Sequence, residues 1–198
     1  FPIWLQIIPY QLPPDLKALN TTVFLFKVAF EQKMPEALYH LALEKIALGD
    51  NAAAIKDLDT VATLAVNAPE PWFRKGELYA ASKAWDAASD AFIAGISRAP
   101  RANWSRLYNE AATTLYAHGG IAPAIRLYRE SLTFAFDPAV ATNLAWLLAT
   151  SQDAALRNGA TALEFAQRAV QANPNMPSFL SGLAAALGSL AATSPIPT

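Results

Sequence analysis

The side chains that could perform chemistry are few. The 198 residues include two histidines, His40 and His118, and no cysteine, which leaves no thiolate nucleophile and too few imidazoles for a histidine-rich metal site. His40 falls inside a helical stretch and His118 stands just before Gly119-Gly120, where an imidazole near a helix C-terminus interacts favourably with the helix dipole. Both read as structural. The carboxylate pairs Asp57/Asp59 and Asp86/Asp90 lie on helical stretches near turns, and exposed carboxylates of that kind are solvated charge rather than acid-base machinery. No phosphate-cradling glycine loop, nucleophile elbow or H-E-x-x-H pair occurs. The sequons Asn20-Thr21-Thr22 and Asn103-Trp104-Ser105 match the glycosylation acceptor pattern, but both fall at helical stretches and receive no role. No catalysis, metal or cofactor is expected.

Composition narrows the alternatives. With 54% hydrophobic residues and a formal net charge of −1, the chain lacks the polarity and charge of a disordered protein. A sequence pI near 6.1 gives no basic footprint, so no nucleic-acid partner is expected. Charged residues make up only 16%, against roughly 25% in ordinary soluble domains. Either the core is large or part of the surface is covered. The first residues lack the basic segment and small-residue cleavage site of a secretory signal. A start at Phe1 rather than Met reads as a processed product or a fragment.

Fourteen prolines and eight glycines punctuate long Ala- and Leu-rich stretches of helical spacing. Ala54, Ala88, Ala124 and Ala162 recur at separations of 34, 36 and 38. Four residues after each comes Leu58, Phe92, Tyr128 or Ala166, and seven after comes Val61, Gly95, Ser131 or Ala169. Those offsets share one helix face. Turn signals precede the alanines at Gly49-Asp50, Lys83-Ala84, Gly119-Gly120 and Asn158-Gly159, and each helix runs on to Pro69, Pro100, Pro138 or Pro174. Each unit therefore reads as helix, turn, helix, proline. One such hairpin cannot bury its apolar face alone, so the units must stack.

The second unit resembles the tetratricopeptide repeat, whose pattern is W-x2-L-G-x2-Y, then A-x3-F, then P. Trp72, Gly76, Tyr79, Ala88, Phe92 and Pro100 stand in register, and only Lys75 departs from it, at the usual leucine. The first unit keeps Leu38, Leu41, Ala42, Ala54 and Leu58. The third keeps Tyr108, Ala112, Leu115, Ala124 and Tyr128. The fourth keeps Leu144, Ala162, Ala166, Ala169 and Pro174, with a longer connection over Thr150–Gly159. The run from Asn143 to Thr150, followed by a glycine and an Ala-rich helix, resembles the terminal repeat of bacterial members of this family. The resemblance spans 34–190 and implies an all-α, right-handed α-solenoid of four helix pairs with a C-terminal capping helix over about 177–190; outside it, the residues themselves read as an extra N-terminal helix over 15–33. Residues 191–198 read as a loose tail. Ala88 and Gly95 should let paired helices approach closely, with Phe92 and Tyr128 filling the space toward the next unit.

In such proteins the first helices of successive units line a concave face that takes peptides. Carried over by alignment, its outward positions are Tyr39 and Leu43, Phe73 and Glu77, Asn109 and Thr113, and Tyr116 one turn on. Members that clamp a terminal carboxylate use a set of Lys and Asn there; only Asn109 matches, which disfavours that ligand. The aromatic positions favour a short helix or extended apolar segment in the groove. Packing of the same rings against neighbouring helices is the competing reading.

The N-terminal end is the other candidate surface. Phe1–Pro14 holds four prolines, no charge, and the apolar residues Phe1, Ile3, Trp4, Leu5, Ile7, Ile8, Tyr10 and Leu12. It is too proline-rich for a helix and too short to span a bilayer. It reads either as an arm lying along its own solenoid or as one embedded in another subunit or a membrane surface. The helix begun by Asp15 carries Phe24, Phe26 and Phe30 on faces that are apolar nearly all round, so something should cover it. These features favour a non-catalytic scaffold for other protein subunits or peptides, as an accessory subunit of a larger, membrane-bound assembly. Its expected place is membrane-associated or extracytoplasmic, in the periplasm, rather than cytoplasmic. The alternatives are a free peptide-binding adaptor, or the repeat portion of a larger enzyme such as a glycosyltransferase.

Overall fold

The computed structural model describes residues 34–193, so the arm Phe1–Pro14, the expected helix over 15–33 with Phe24, Phe26 and Phe30, the sequon at Asn20 and residues 194–198 lie outside the described residues. Nine α-helices make up the described chain, with no strand among those residues. The chain divides into two compact units, one ending at Asn67 and one beginning at Ala68.

In the first unit, α1 (Pro35–Ala47) packs against α2 (Asn51–Leu64). Pro35 opens α1 at a position where its missing N–H costs nothing. Gly49 has φ +81° and turns the chain back, and the Asp50 carboxylate caps α2 by accepting the Ala53 N–H at 3.1 Å. Leu38 and Val61 pack together, with Ala37 and Tyr39 at their edge. Half-buried Lys45 and Asp57 pair at 2.5 Å across the hairpin.

The second unit contains α3 (Glu70–Ala81), α4 (Trp85–Ile96), α5 (Trp104–Ala117), α6 (Ile121–Phe134), α7 (Pro138–Thr150), α8 (Gly159–Ala172) and α9 (Pro177–Thr193). They pair as α3 with α4, α5 with α6 and α7 with α8, while first helix meets first helix from α3 to α5 and second meets second from α4 to α6. That is side-by-side stacking of hairpins. The recurring second-helix positions explain it: Ala54, Ala88, Ala124 and Ala162 are all fully buried, as are Leu58 and Ala166, and Phe92 and Tyr128 nearly so. The Phe92 ring fills its own pair, where a Cβ on Gly76 of α3 would come within 2.6 Å of it, and it belongs to the same core cluster as Tyr108 of α5. Tyr128 does reach onward, to Asn143 of α7. Ser131, the polar member of the pattern, is buried because its hydroxyl donates to the Ser105 carbonyl at 2.7 Å.

One turn geometry repeats. Asp50 N–H bonds Lys45 O at 2.9 Å, Ala84 N–H bonds Tyr79 O at 2.9 Å, and Gly120 N–H bonds Leu115 O at 2.8 Å, each closing a left-handed helix end. The residue just before the donor is Gly49, Lys83 or Gly119, with φ of +81°, +60° and +95°. Lys83 alone carries a side chain in that conformation, which costs roughly 1–2 kcal/mol. Glycine's larger loss of freedom on folding returns about 0.5–1 kcal/mol of this. Lys83→Gly is therefore expected to stabilise the second unit by about 0.5–1 kcal/mol, read as a raised thermal midpoint. An unchanged or lowered midpoint contradicts the strain.

Lys75, the departure from the repeat pattern, is only 8% exposed, and its ammonium lies 4.5 Å from the centre of the Trp72 ring. Arg98 lies over the same ring at 4.6 Å. The indole gives both cations a π face, so a lysine occupies a leucine position with its stem buried. The fourth hairpin is joined by a long connection, as expected. Asn158 caps α8 at Thr161 N–H (3.0 Å) and donates its own N–H to Leu148 O (2.8 Å), while Arg157 donates to the Ser151 and Gln152 carbonyls. The final helix α9 lies on both α7 and α8 and runs to Thr193, past Leu190. Phe179 packs with Ala141 and Ala169.

Candidate functional site

His118 occupies the C-cap of α5 and is exposed. His40 is exposed and presents its ring edge-on to Tyr39, 6.3 Å between centroids. Asp57 is spent on Lys45, and Asp86 and Asp90 are exposed. Asn103 lies in a short 3-10 turn, Arg101–Asn103, directly before α5. No group of three or more His, Asp or Glu side chains that could hold a metal exists among the described residues. Nor, among those residues, is any helix long and apolar enough to cross a membrane.

The groove residues carried over from the repeat register meet four different surroundings. Tyr39 and Leu43 are half-buried on α1, in the first unit. Phe73 and Glu77 are occupied within their own surroundings: the Phe73 ring leans on Phe92 at 6.4 Å, and Glu77 is exposed and pairs with Arg74 at 2.7 Å. Asn109 buries its Oδ1, which has no hydrogen-bond partner among the described residues. Thr113 and Tyr116 do line a cleft. Across from them α7 supplies Asn143, Trp146 and Leu147, and Tyr128 of α6 forms the remaining wall, around a cavity of about 240 Å³.

A second cavity of about 630 Å³ shares Tyr116 and Leu147 with the first. Its wall is built from Trp85, the Gly120–Pro123 start of α6, and Ser151, Asp153 and Leu156 of the long connection. Gly120 is required there: a Cβ on it would stand 2.9 Å from the Trp85 ring and 3.2 Å from the Leu115 carbonyl. The extended α7–α8 connection thus walls one side of the larger cavity.

Trp146 and Asn143 belong to the fourth unit, beyond the groove positions that the repeat register marks in the first three. The signal for Trp146 was present: it follows buried Ala145 as Thr113 follows buried Ala112 and Glu77 follows Gly76. Nothing in the repeat pattern marks the residues of the α7–α8 connection.

The polar residues of the inner cavity are tied to one another. The Thr113 hydroxyl donates to the Asn109 carbonyl at 2.9 Å and lies 3.0 Å from the Tyr128 hydroxyl. Thr113 has one proton, already given to Asn109, so Tyr128 donates to Thr113. Burial pushes the Tyr128 phenol above its ordinary value, Tyr116 adds to the rise, and a hydrogen bond with Asn143 pulls it partly back. Tyr108, stacked on Phe134 at 5.6 Å, is raised by burial and then by Glu130. A raised folded-state value means that the unfolded chain loses these protons first. The stability they contribute is complete below the ordinary phenol pKa of about 10 and is lost as pH rises through the folded values. Denaturation midpoints should therefore fall steeply above about pH 10, and Tyr128→Phe with Tyr108→Phe should flatten that fall. An equally steep fall in the double variant contradicts the assignment.

No family model matches the sequence, and no curated protein matches it. Solved structures do. MamA from Desulfovibrio magneticus RS-1 superposes with a TM-score of 0.52 at 19% identity, over 80% of this chain and 86% of that one. Another MamA structure gives 0.52 at 14% identity, over 93% of each. YrrB, described as a TPR protein with an unusual peptide-binding site, gives 0.50 at 14% identity, over 85% of this chain and 93% of that one. At these identities the likeness is one of architecture, and it agrees with the buried second-helix register and the hairpin stacking: this chain has the tetratricopeptide-repeat α-solenoid fold.

Proposed function

We propose that the protein is a non-catalytic interaction scaffold whose second unit holds a segment of a partner protein in the cleft between α5 and α7. One observation carries this reading. Tyr116 and Trp146 line the same cavity from α5 and α7, and they remain 43% and 44% exposed although the helices under them are packed. Large rings at the mouth of a cleft are the residues on which binding energy concentrates. YrrB, a protein of like fold, is described as binding peptide at an unusual site, which supports a peptide as the occupant. The test is recovery of native partners with the intact chain and with Tyr116→Ala/Trp146→Ala. Loss of a partner from the variant at unchanged helical circular dichroism supports the cleft; equal recovery removes it.

A second reading, an accessory subunit of a larger membrane-bound assembly, is favoured by α9. This helix has no charged residue, and Leu180 and Leu187 stay 46% and 50% exposed on it. Large apolar side chains left exposed on an uncharged helix mark a surface for another protein. The uncharged sequence of Phe1–Pro14 points the same way. An intact assembly that retains the Tyr116→Ala/Trp146→Ala variant but loses one with Leu180→Lys/Leu187→Lys supports this reading over the first.

A further inference from the structure

Resting on the cleft reading above, we infer that its occupant is an electrically neutral peptide segment of a partner protein bearing a bulky apolar side chain. Charge is the deciding property. The inner cavity is lined by Thr113, Tyr116, Tyr128, Asn143, Trp146 and Leu147, none of them charged at neutral pH. The adjoining 630 Å³ cavity has a single charged residue in its wall, Asp153. That carboxylate already accepts the Ala155 N–H at 2.9 Å, and Arg157 of the same connection donates to the Ser151 and Gln152 carbonyls.

The polar atoms inside the cleft are also largely committed. Thr113 gives its proton to Asn109, Tyr128 gives its proton to Thr113, and Asn143 bonds the Tyr128 phenol. A lysine, a carboxylate side chain or a terminal carboxylate entering the inner cavity would give up part of its hydration and meet no counter-charge in the lining. An unpaired ion is costly to desolvate, whereas a neutral amide needs little compensation. Exposed Asn143 retains amide capacity for a peptide group, since an asparagine side chain offers two donors and an acceptor. The apolar anchor has a place as well. Trp85, Ile121, Pro123, Leu147 and Leu156 wall the larger cavity, whose volume falls in the range that encloses sizeable ligands.

The test is selection from a phage-displayed library of random short peptides on the intact chain, counter-selected on Tyr116→Ala/Trp146→Ala protein that keeps its helical circular dichroism. The expected outcome is enrichment of sequences with Trp, Phe, Leu or Pro and no charge at their centre. Synthetic versions blocked at both ends should bind with an affinity that changes by less than about twofold across a tenfold range of salt, because no ion pair is there to be screened. Placing Asp or Lys at the centre of a selected peptide should weaken binding about tenfold or more, as an uncompensated buried charge requires. Enrichment of acidic, basic or free-carboxylate sequences that still depends on Tyr116 and Trp146 overturns the neutral-ligand inference and leaves the cleft reading standing. No enrichment that depends on those two residues overturns both.

Discussion

Phe92→Ala is expected to cost about 3–5 kcal/mol, the range for removing a buried phenylalanine and leaving a cavity. For a chain of this size that lowers the thermal midpoint by roughly 6–20 °C. The ring is 2% exposed and belongs to the main core with Ala88, Ile96 and Tyr108. It also fits against one particular residue. A Cβ added at Gly76 would lie 2.6, 2.7 and 2.9 Å from three atoms of the ring, closer than van der Waals contact permits. Gly76→Ala should therefore destabilise the wild type by about 1–3 kcal/mol through overpacking. On the Phe92→Ala background the same methyl enters vacated space and gains helix propensity of about 1 kcal/mol, so its effect should change sign. A double-mutant cycle by thermal and denaturant unfolding reads this coupling directly. Additive effects would mean that Gly76 and the Phe92 ring do not meet as described.

That pair also shows how far the sequence reaches. Gly76 and Phe92 could be read as members of one repeat pattern because a close helix crossing admits no side chain on one helix and needs a large one on the other. Ala54, Ala88, Ala124 and Ala162 were legible for the same reason: a position that must be small recurs at the repeat period, and all four are fully buried. The turns were legible where glycine marks them, at Gly49 and Gly119. Lys83 shows that a turn can share their left-handed geometry without the residue that favours it. Lys75 could be seen only as a departure, because its π-face partner is the Trp72 ring of its own helix, a contact that the repeat pattern does not encode.

The cleft was harder to read than the fold. Repeat register assigns a face to each residue but does not say which outward side chains their neighbours will consume. Phe73 is turned onto Phe92 and Glu77 onto Arg74, so two aligned positions contribute to neither cavity. Tyr128 was recognisable as core and yet also forms a wall of the cleft, because its ring is buried while its hydroxyl reaches Thr113. The walls contributed by Ser151, Asp153 and Leu156 depend on how a non-repetitive connection folds back, and hydrophobic periodicity carries no information about that.

Removing α9 should unfold the last hairpin while leaving the earlier ones in place. Eight residues of α7 are buried, from Val140 to Ala149, so this helix depends on cover from more than one side, and α9 packs against both it and α8. The contacts are close. A Cβ on Gly182 would stand 2.9 Å from the Thr142 methyl, and one on Gly159 would stand 3.1 Å from Leu190. Phe179 closes over Ala141 and Ala169, and burying a side chain of that size is worth roughly 1.5–3 kcal/mol. Ala186 is fully buried, and Leu183 and Ala185 pack against the main core, so the loss on truncation after Met176 is on the order of several kcal/mol. In a stacked array stability is a sum over units and nearest-neighbour interfaces. The damage should therefore stay local: amide hydrogens of α7 and α8 should lose protection, while those of α3 to α6 exchange much as before. Gly182→Leu, which forces α9 away from Thr142 without deleting it, should give a milder form of the same pattern. Uniform loss of protection across every helix would show that the second unit unfolds as a single cooperative block. Retained protection in α7 and α8 would mean that α9 covers nothing essential.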